Sequence, residues 1–364
     1  MGASSVHLRR TAMTGIVRVV RAFVRRLGSL LAAIALVVAL PSRAAEPPVL
    51  NLYSARHYQT DEALYDNFTK ATGIRINRIE AGDDQLLERL RSEGALSPAD
   101  VLLIVDAARL WSAQQQGLFA PVRSSLLDER IPASLRDPAG HWFGFSSRGR
   151  VIVYNKATVN PAEVATYESL ADPKNRGRVC TRSGSHPYNL SLVAAMIEHL
   201  GEPKAESWAR GVVANMARTP RGGDTDQIKA VAVGECAVAL TNTYYYVRLM
   251  RSTRPEERDW AARAGLVWPD QESFGTHLNI AGAGVLKHAP HPDNARRFLE
   301  YLAGDEAQAY FANGNNEWPA VKGAVAKNAE LESLGKFKAD ALPIAVLGRN
   351  TPSAQKLLDR AGWK

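Results

Sequence analysis

Hydrophobic and polar positions alternate between two periods along the chain. Residues 49–53 form a short apolar run, which predicts a strand. Residues 61–72 place Leu64, Tyr65 and Phe68 on one helical face; Thr60 or Asp61 can cap this helix and Gly73 can stop it. Ile74, Ile76 and Ile79 suggest a second strand. Residues 83–92 turn Leu86, Leu87 and Leu90 inward, with Gly94 beyond the end. Residues 101–105 are uninterruptedly apolar, as expected of a strand covered on both faces, and a helix over 107–116 ends at Gly117. This alternation predicts α/β units on a largely parallel sheet.

The pattern then changes. Residues 143–154 are strand-rich and lead into a second α/β series. It comprises a strand at 178–181, helices at 191–200, 206–216 and 225–233, and a strand at 237–241. Residues 282–286 read as a further strand and 292–302 as a well-marked helix. Neither an internal repeat nor a low-complexity linker separates the two series. The chain is therefore expected to pass between two lobes by strands and not by a flexible tether.

Upstream of these elements lies a different kind of segment. A basic stretch ends at Arg25-Arg26, an apolar run fills 27–40, Pro41 breaks it, and Ser42-Arg43-Ala44 offers small residues for cleavage. The run is short for a membrane span, which needs about 20 residues. Residues 1–44 are expected to be a signal peptide that directs the protein to the periplasm, by the general or the twin-arginine route. The segment also explains the charge. Without the seven arginines of the first 45 residues, the formal charge falls from +8 to +1. A basic face for nucleic acid is thereby excluded, since it would survive processing. Cys180 and Cys236 are the two cysteines. In an oxidising compartment one disulfide is the simplest reading, with two buried thiols as the alternative.

Catalytic signatures are sparse. The sequence has no G-x-S-x-G elbow, phosphate loop, dinucleotide glycine fingerprint or H-E-x-x-H motif. Tyrosine placement stands out instead. Tyr58 follows His57 after the first strand, Tyr188 follows the strand near 181, and Tyr244, Tyr245 and Tyr246 follow the strand near 241. All lie past carboxyl ends of strands, where open α/β sheets bind ligands. Taken alone, a tyrosine run reads more readily as packing, and His57 as a structural histidine. These residues by themselves describe a two-lobed exported binding protein of unspecified ligand.

Several motifs narrow the reading. Tyr53-Ser-Ala-Arg-His-Tyr58, Ser97-Pro-Ala-Asp-Val101, Gly177-Arg-Val-Cys-Thr-Arg-Ser-Gly184, Tyr188-Asn-Leu-Ser-Leu192 and Asn242-Thr-Tyr-Tyr-Tyr246 resemble the periplasmic ferric-iron-binding proteins of bacterial ABC transporters. Gly275-Thr-His277 and Glu317-Trp-Pro319 are also similar to that family, so the likeness runs from about 49 to about 321. The resemblance implies a type II periplasmic-binding-protein fold, two α/β lobes joined by crossover strands. Here the N-lobe would be 45–150 plus about 277–320, and the C-lobe 151–276 plus about 321–364.

It also implies iron ligands at Tyr188, Tyr244 and Tyr245. One branch of the family adds a His-Tyr pair, matched by His57 and Tyr58. Other branches use carbonate or another synergistic anion held by an arginine, matched by Arg56. Tyr246 is the spare tyrosine, expected to pack, and His277 is expected to be structural. The family's cysteine pair is similar to Cys180 and Cys236 and supports a bridge within the second lobe. A monomer is implied, handing Fe³⁺ to an inner-membrane permease and its ATPase.

The chemistry agrees with that implication. Fe³⁺ is a hard cation that prefers anionic oxygen donors. Zinc or copper would favour histidines and thiolates, and calcium would favour carboxylates. Three phenolates neutralise Fe³⁺ and leave room for an anion; four leave one negative charge, which Arg56 is placed in sequence to offset. Two other readings compete. The tyrosines can form an aromatic cage for an organic cation such as a polyamine, or Cys180 and His186 can act as a thiol nucleophile pair in an enzyme.

Overall fold

The computed structural model describes residues 47–56, 60–324 and 327–364. The signal-peptide segment and the pair His57 and Tyr58 lie outside the described residues. Strand β1 (Val49–Ser54) pairs in parallel with β2 (Arg75–Glu80) and β3 (Val101–Ile104). Helix Asp61–Thr72 connects the first two and buries Leu64, Tyr65 and Phe68. Gly73 ends it at φ 72°, a left-handed conformation that favours glycine, and its N–H donates to the Thr69 carbonyl. Helix Asp83–Glu93 leads on to β3. The next helix, Ala107–Gln115, is capped by Asp106, whose carboxylate accepts from the N–H groups of Ala108 and Arg109.

Strand β4 (Phe143–Asn155) is the spine of the molecule. Its first half pairs antiparallel with β8 (Leu278–Val285); its second half pairs antiparallel with β6 (Val238–Asn242) and β7 (Ala264–Val267). The short β5 (Val179–Cys180) runs parallel to β6, and β9 (Trp318–Pro319) pairs with β4. The path through the sheet is β2-β1-β3-β8-β4-β6-β5. The expectation of a largely parallel sheet is thus corrected: the ends are parallel and the centre is antiparallel. Strands β4 and β8 are buried along almost their whole length. Their apolar runs therefore carry no facing signal from which strand direction can be read.

Two sets of apolar clusters flank this centre. One gathers Leu50, Leu64, Phe68, Leu103, Phe145, Phe298 and Phe311; the other gathers Ile152, Tyr167, Val193, Trp208, Val238 and Leu357. Helix Ile344–Ala361, for which the sequence pattern gave no expectation, packs against both Pro187–Leu200 and Ala107–Gln115. Its Gly348 lies so close to Trp111 that a Cβ there would sit 2.4 Å from the indole side chain. Among the described residues no helix is long and apolar enough to cross a membrane.

Candidate functional site

Two helix starts build the site. The strand read over 237–241 extends to Asn242, and a helix begins at once with Thr243–Met250. Tyr244, Tyr245 and Tyr246 therefore occupy the first helical turn and not a loop. The helix expected from 191 begins earlier, at Pro187. Proline suits a first helical position because that N–H is unpaired anyway. The ring of His186 takes the cap role, its Nδ1 accepting from the Tyr188 N–H at 3.2 Å. Burial, then Arg182, Arg150 and Arg109, push the His186 pKa down to about 3, so its ring is neutral and able to accept.

These two starts bring the phenols together. The hydroxyls of Tyr188 and Tyr244 are 3.0 Å apart. The Tyr244 and Tyr245 rings lie 4.2 Å apart between centroids. Tyr246 faces elsewhere: its hydroxyl is 2.9 Å from the Ala261 carbonyl oxygen and 2.8 Å from that of Ala264. Burial pushes its pKa up to about 12.

Positive charge surrounds the phenols. The Arg182 guanidinium lies 5.0 Å from the Tyr188 ring centroid, Arg150 lies 5.8 Å from it, and Arg248 lies 4.8 Å from the Tyr245 ring. Buried Asp224 ties the first two together, at 2.7 Å from Arg150 and 3.2 Å from Arg182, and accepts the Asn242 N–H at 2.7 Å. Burial opposes the charge on Arg182, but Asp224, Tyr245 and Tyr188 outweigh it and raise its pKa. Asn189, next to Tyr188, staples this loop. It accepts from Arg150 at 2.8 Å and donates to the Arg182 and Ser183 carbonyls at 2.9 Å.

The surrounding structure fixes that loop from below. A Cα-to-Cα separation of 5.9 Å accompanies the disulfide joining Cys180 to Cys236. Cys180 therefore has no thiol for a nucleophilic role. At Gly184 a Cβ would meet the Trp363 carbonyl oxygen at 2.2 Å, so only glycine allows the C-terminus to pack here.

The remaining predicted residues are distributed as follows. Arg56 is fully buried, bidentate to Asp61 at 2.8 and 3.2 Å and bonded to Glu317 at 3.1 Å. His277 is buried, its Nε2 2.8 Å from the Ser191 hydroxyl. A narrow cleft between these groups is lined by Arg148, Arg150, Tyr188, Asn242, His277 and Asn279. Among the described residues, Nδ2 of buried Asn242 and Nε of Arg150 and of Arg182 have no hydrogen-bond partner. Spare donors of this kind suit an oxygen-rich ligand shell. Among the described residues, no three His, Cys, Asp or Glu side chains cluster to hold a metal.

Sequence reading missed Arg150, Arg182 and Asp224. A signal was present: Ser147-Arg-Gly-Arg150 puts two arginines inside a strand that is otherwise apolar or small.

Comparison with known proteins follows the same line. Residues 97–339 match the model of the bacterial extracellular solute-binding protein family. The chain is 50% identical over 334 residues to Iron uptake protein A2 of Synechocystis sp., covering 91% of this chain and 95% of that protein. Among solved structures, the Trichodesmium protein IdiA (FutA) in complex with iron and citrate ligands superposes with a TM-score of 0.83. It is 52% identical and covers 87% of this chain and all 100% of its own. Apo FutA2 from Synechocystis gives a TM-score of 0.83 at 48% identity, covering 88% of this chain and 100% of its own.

Proposed function

Since the chain belongs to the bacterial extracellular solute-binding protein family, we propose that it is the periplasmic substrate-binding component of an iron(III) ABC transporter. Its fold is that of the type II periplasmic binding proteins. The observation that carries the reading is the 3.0 Å approach of the Tyr188 and Tyr244 hydroxyls, with Tyr245 packed alongside. Neutral phenols gain one weak hydrogen bond from such a meeting. A hard trivalent cation gains two anionic oxygen donors from it.

In this reading Tyr188, Tyr244 and Tyr245 hold Fe³⁺, and His57 and Tyr58 are the further candidate ligands. The lobes are 45–150 plus about 277–320, and 151–276 plus about 321–364. Three phenolates balance the ion; a fourth from Tyr58 leaves one negative charge. Arg150, Arg182 and Asp224 together carry one net positive charge against the Tyr188 ring. They supply the offset that the sequence reading sought in Arg56, whose guanidinium faces Asp61 and Glu317. A synergistic anion such as carbonate fits the same excess when Tyr58 does not bind. The cation-rich surroundings disfavour an organic cation such as a polyamine, because Asp224 beside the phenols is taken by two arginines.

The protein is a carrier and not an enzyme. Exported through its signal peptide, it closes as a monomer on the ion and delivers it to an inner-membrane permease with its ATPase. Metal that bonds both lobes stabilises the closed form. Each phenol gives up a proton on binding, so affinity falls as pH falls.

Titration of the purified mature protein with Fe³⁺ tests this. A phenolate-to-iron charge-transfer band should appear, colouring the protein orange to red. Tyr188→Phe, Tyr244→Phe and Tyr245→Phe should each weaken binding by about 100-fold or more, a loss of about 2.7 kcal/mol. Tyr246→Phe should change it less than about threefold. A colourless wild-type protein, or equal losses at Tyr244, Tyr245 and Tyr246, defeats the assignment.

A further inference from the structure

Ser191 runs against the local pattern. It is buried in a stretch, residues 190–196, that is otherwise apolar, within helix Pro187–Leu200. Serine is a middling helix former, and a buried hydroxyl is costly unless it is bonded. Asn279 is equally out of place: it is buried in β8, whose other residues are apolar or glycine. Buried polar groups of this kind persist where they satisfy one another.

The two residues do so within a chain of four side chains. Asn279 Nδ2 donates to Asp106 Oδ2 at 2.7 Å and to Ser191 Oγ at 2.9 Å. Its Oδ1 accepts the Ala107 N–H at 3.0 Å and the Ile280 N–H at 2.8 Å. Both donors and both acceptor positions of the amide are thereby used. Ser191 accepts from Asn279, so its own proton can go to His277 Nε2, 2.8 Å away. All four side chains are buried. Burial raises the Asp106 pKa, and the bond from Asn279 is the largest influence against it.

This chain crosses between the lobes proposed above. Asp106, which caps Ala107–Gln115, and Asn279 on β8 belong to the first lobe. Ser191 belongs to the second, on the helix that carries Tyr188. It stands three residues past Tyr188, so the two share a helix face. Asn279 and Tyr188 line the same narrow cleft. His186 and Asn189 fasten the first turn of this helix to its own loop. Ser191 fastens it to the strand of the first lobe.

We propose that Asn279 and Ser191 are positioning residues for iron capture: their hydrogen bond fixes the Tyr188 helix against the other lobe and so sets where the Tyr188 phenol meets the ion. The inference rests on the ferric reading above and adds residues outside the ligand set. Residues behind a metal ligand hold it in the productive orientation, and their loss typically weakens a site by about 10- to 100-fold. Such losses appear mainly as faster dissociation.

Iron release to excess EDTA, followed by decay of the charge-transfer band, tests this in the mature protein. Ser191→Ala removes the crossing bond, and alanine keeps the helix because it is the better helix former. Asn279→Ala removes the same bond from the other side. Both should speed release by about 10-fold or more and shift or weaken the band, because the phenolate–iron geometry changes. Asn350→Ala is the control. Its amide bonds Ala194 and Glu198 of the same helix, away from the chain of four. It should keep the wild-type band and a release rate within about twofold. A wild-type band or release rate in Ser191→Ala overturns the assignment, as does an equal acceleration in Asn350→Ala, which would mark a general loosening of the helix. If Asn279→Ala does not fold, Ser191→Ala decides alone. Absence of any band in the wild-type protein defeats the ferric reading itself.

Discussion

Two buried arginine centres share one strand and differ in their charge count. Arg148 and Arg150 stand two positions apart on β4, so they project from the same face. Arg148 reaches Glu317 at 3.2 Å and the Ile280 carbonyl at 3.0 Å, and Arg56 joins the same Glu317 and Asp61. Among the described residues, that centre contains two arginines and two carboxylates. Arg150 instead shares Asp224 with Arg182, two arginines against one carboxylate, and both guanidiniums lie over the Tyr188 ring. Burying a charge without a partner is costly. The balanced centre meets that cost by pairing and ties β4 to the residues that follow β1 and to Glu317. The unbalanced one keeps an excess positive charge where phenolates would gather.

The sharpest way to break this contrast is to unbalance the scaffold. Glu317 is fully buried and holds both Arg56 and Arg148. Glu317→Ala should cost about 3–5 kcal/mol of folding stability, the loss expected when one member of a buried ion pair is removed. Urea denaturation measures it. Iron affinity per folded molecule should stay within about threefold. If affinity falls as steeply as stability, the two centres are one functional unit and the division drawn between them fails.

Arg182→Gln should do the reverse. Asp224 would retain Arg150 and the Asn242 N–H, so the stability loss should be about 1 kcal/mol. Removing one positive charge 5.0 Å from the Tyr188 ring should weaken Fe³⁺ binding about 10-fold, the size of one partly screened charge interaction. Competition against a chelator of known affinity gives the number. Unaltered affinity would mean that the excess charge plays no part in binding.

The contrast also marks what could be read from sequence. The crossing strand at 143–154, the Cys180–Cys236 bridge and the convergence of strand-end motifs were all legible. Each is announced by local signals: an apolar run, a cysteine pair in an exported chain, and tyrosines just past strands. Mixed strand direction was not legible, because β4 and β8 are apolar on both faces. Helix Ile344–Ala361 was hidden by Pro352 within it and by Gly348, a residue chosen for contact with Trp111 and not for helix propensity. The arginine centres depend on contacts between residues as distant as Arg56 and Glu317. No local period encodes such pairing; only the oddity of charges in a buried strand hints at it.

Burial of a histidine beside the second centre, with Arg150 as the next contributor, should appear as the smallest effect, in acid stability. His277 is buried against Ser191, and burial, then Arg150 and His199, push its pKa down to about 3. The unfolded chain takes up that proton near pH 6.5. Between about pH 6.5 and 3 the unfolded state therefore binds more protons than the folded one, so stability falls as pH falls. His186 runs in the same direction. Asp83, raised to about 6 chiefly by burial and then by Asp106, runs in the opposite direction below that value. Between pH 7 and pH 6 the His277 contribution is about 0.7 kcal/mol, growing below that. His277→Gln should remove this part of the slope, while Glu317→Ala, which touches only the balanced centre, should keep it. Urea midpoints measured across that range decide the matter. An identical pH slope in wild type and His277→Gln would show that burial does not hold this imidazole neutral.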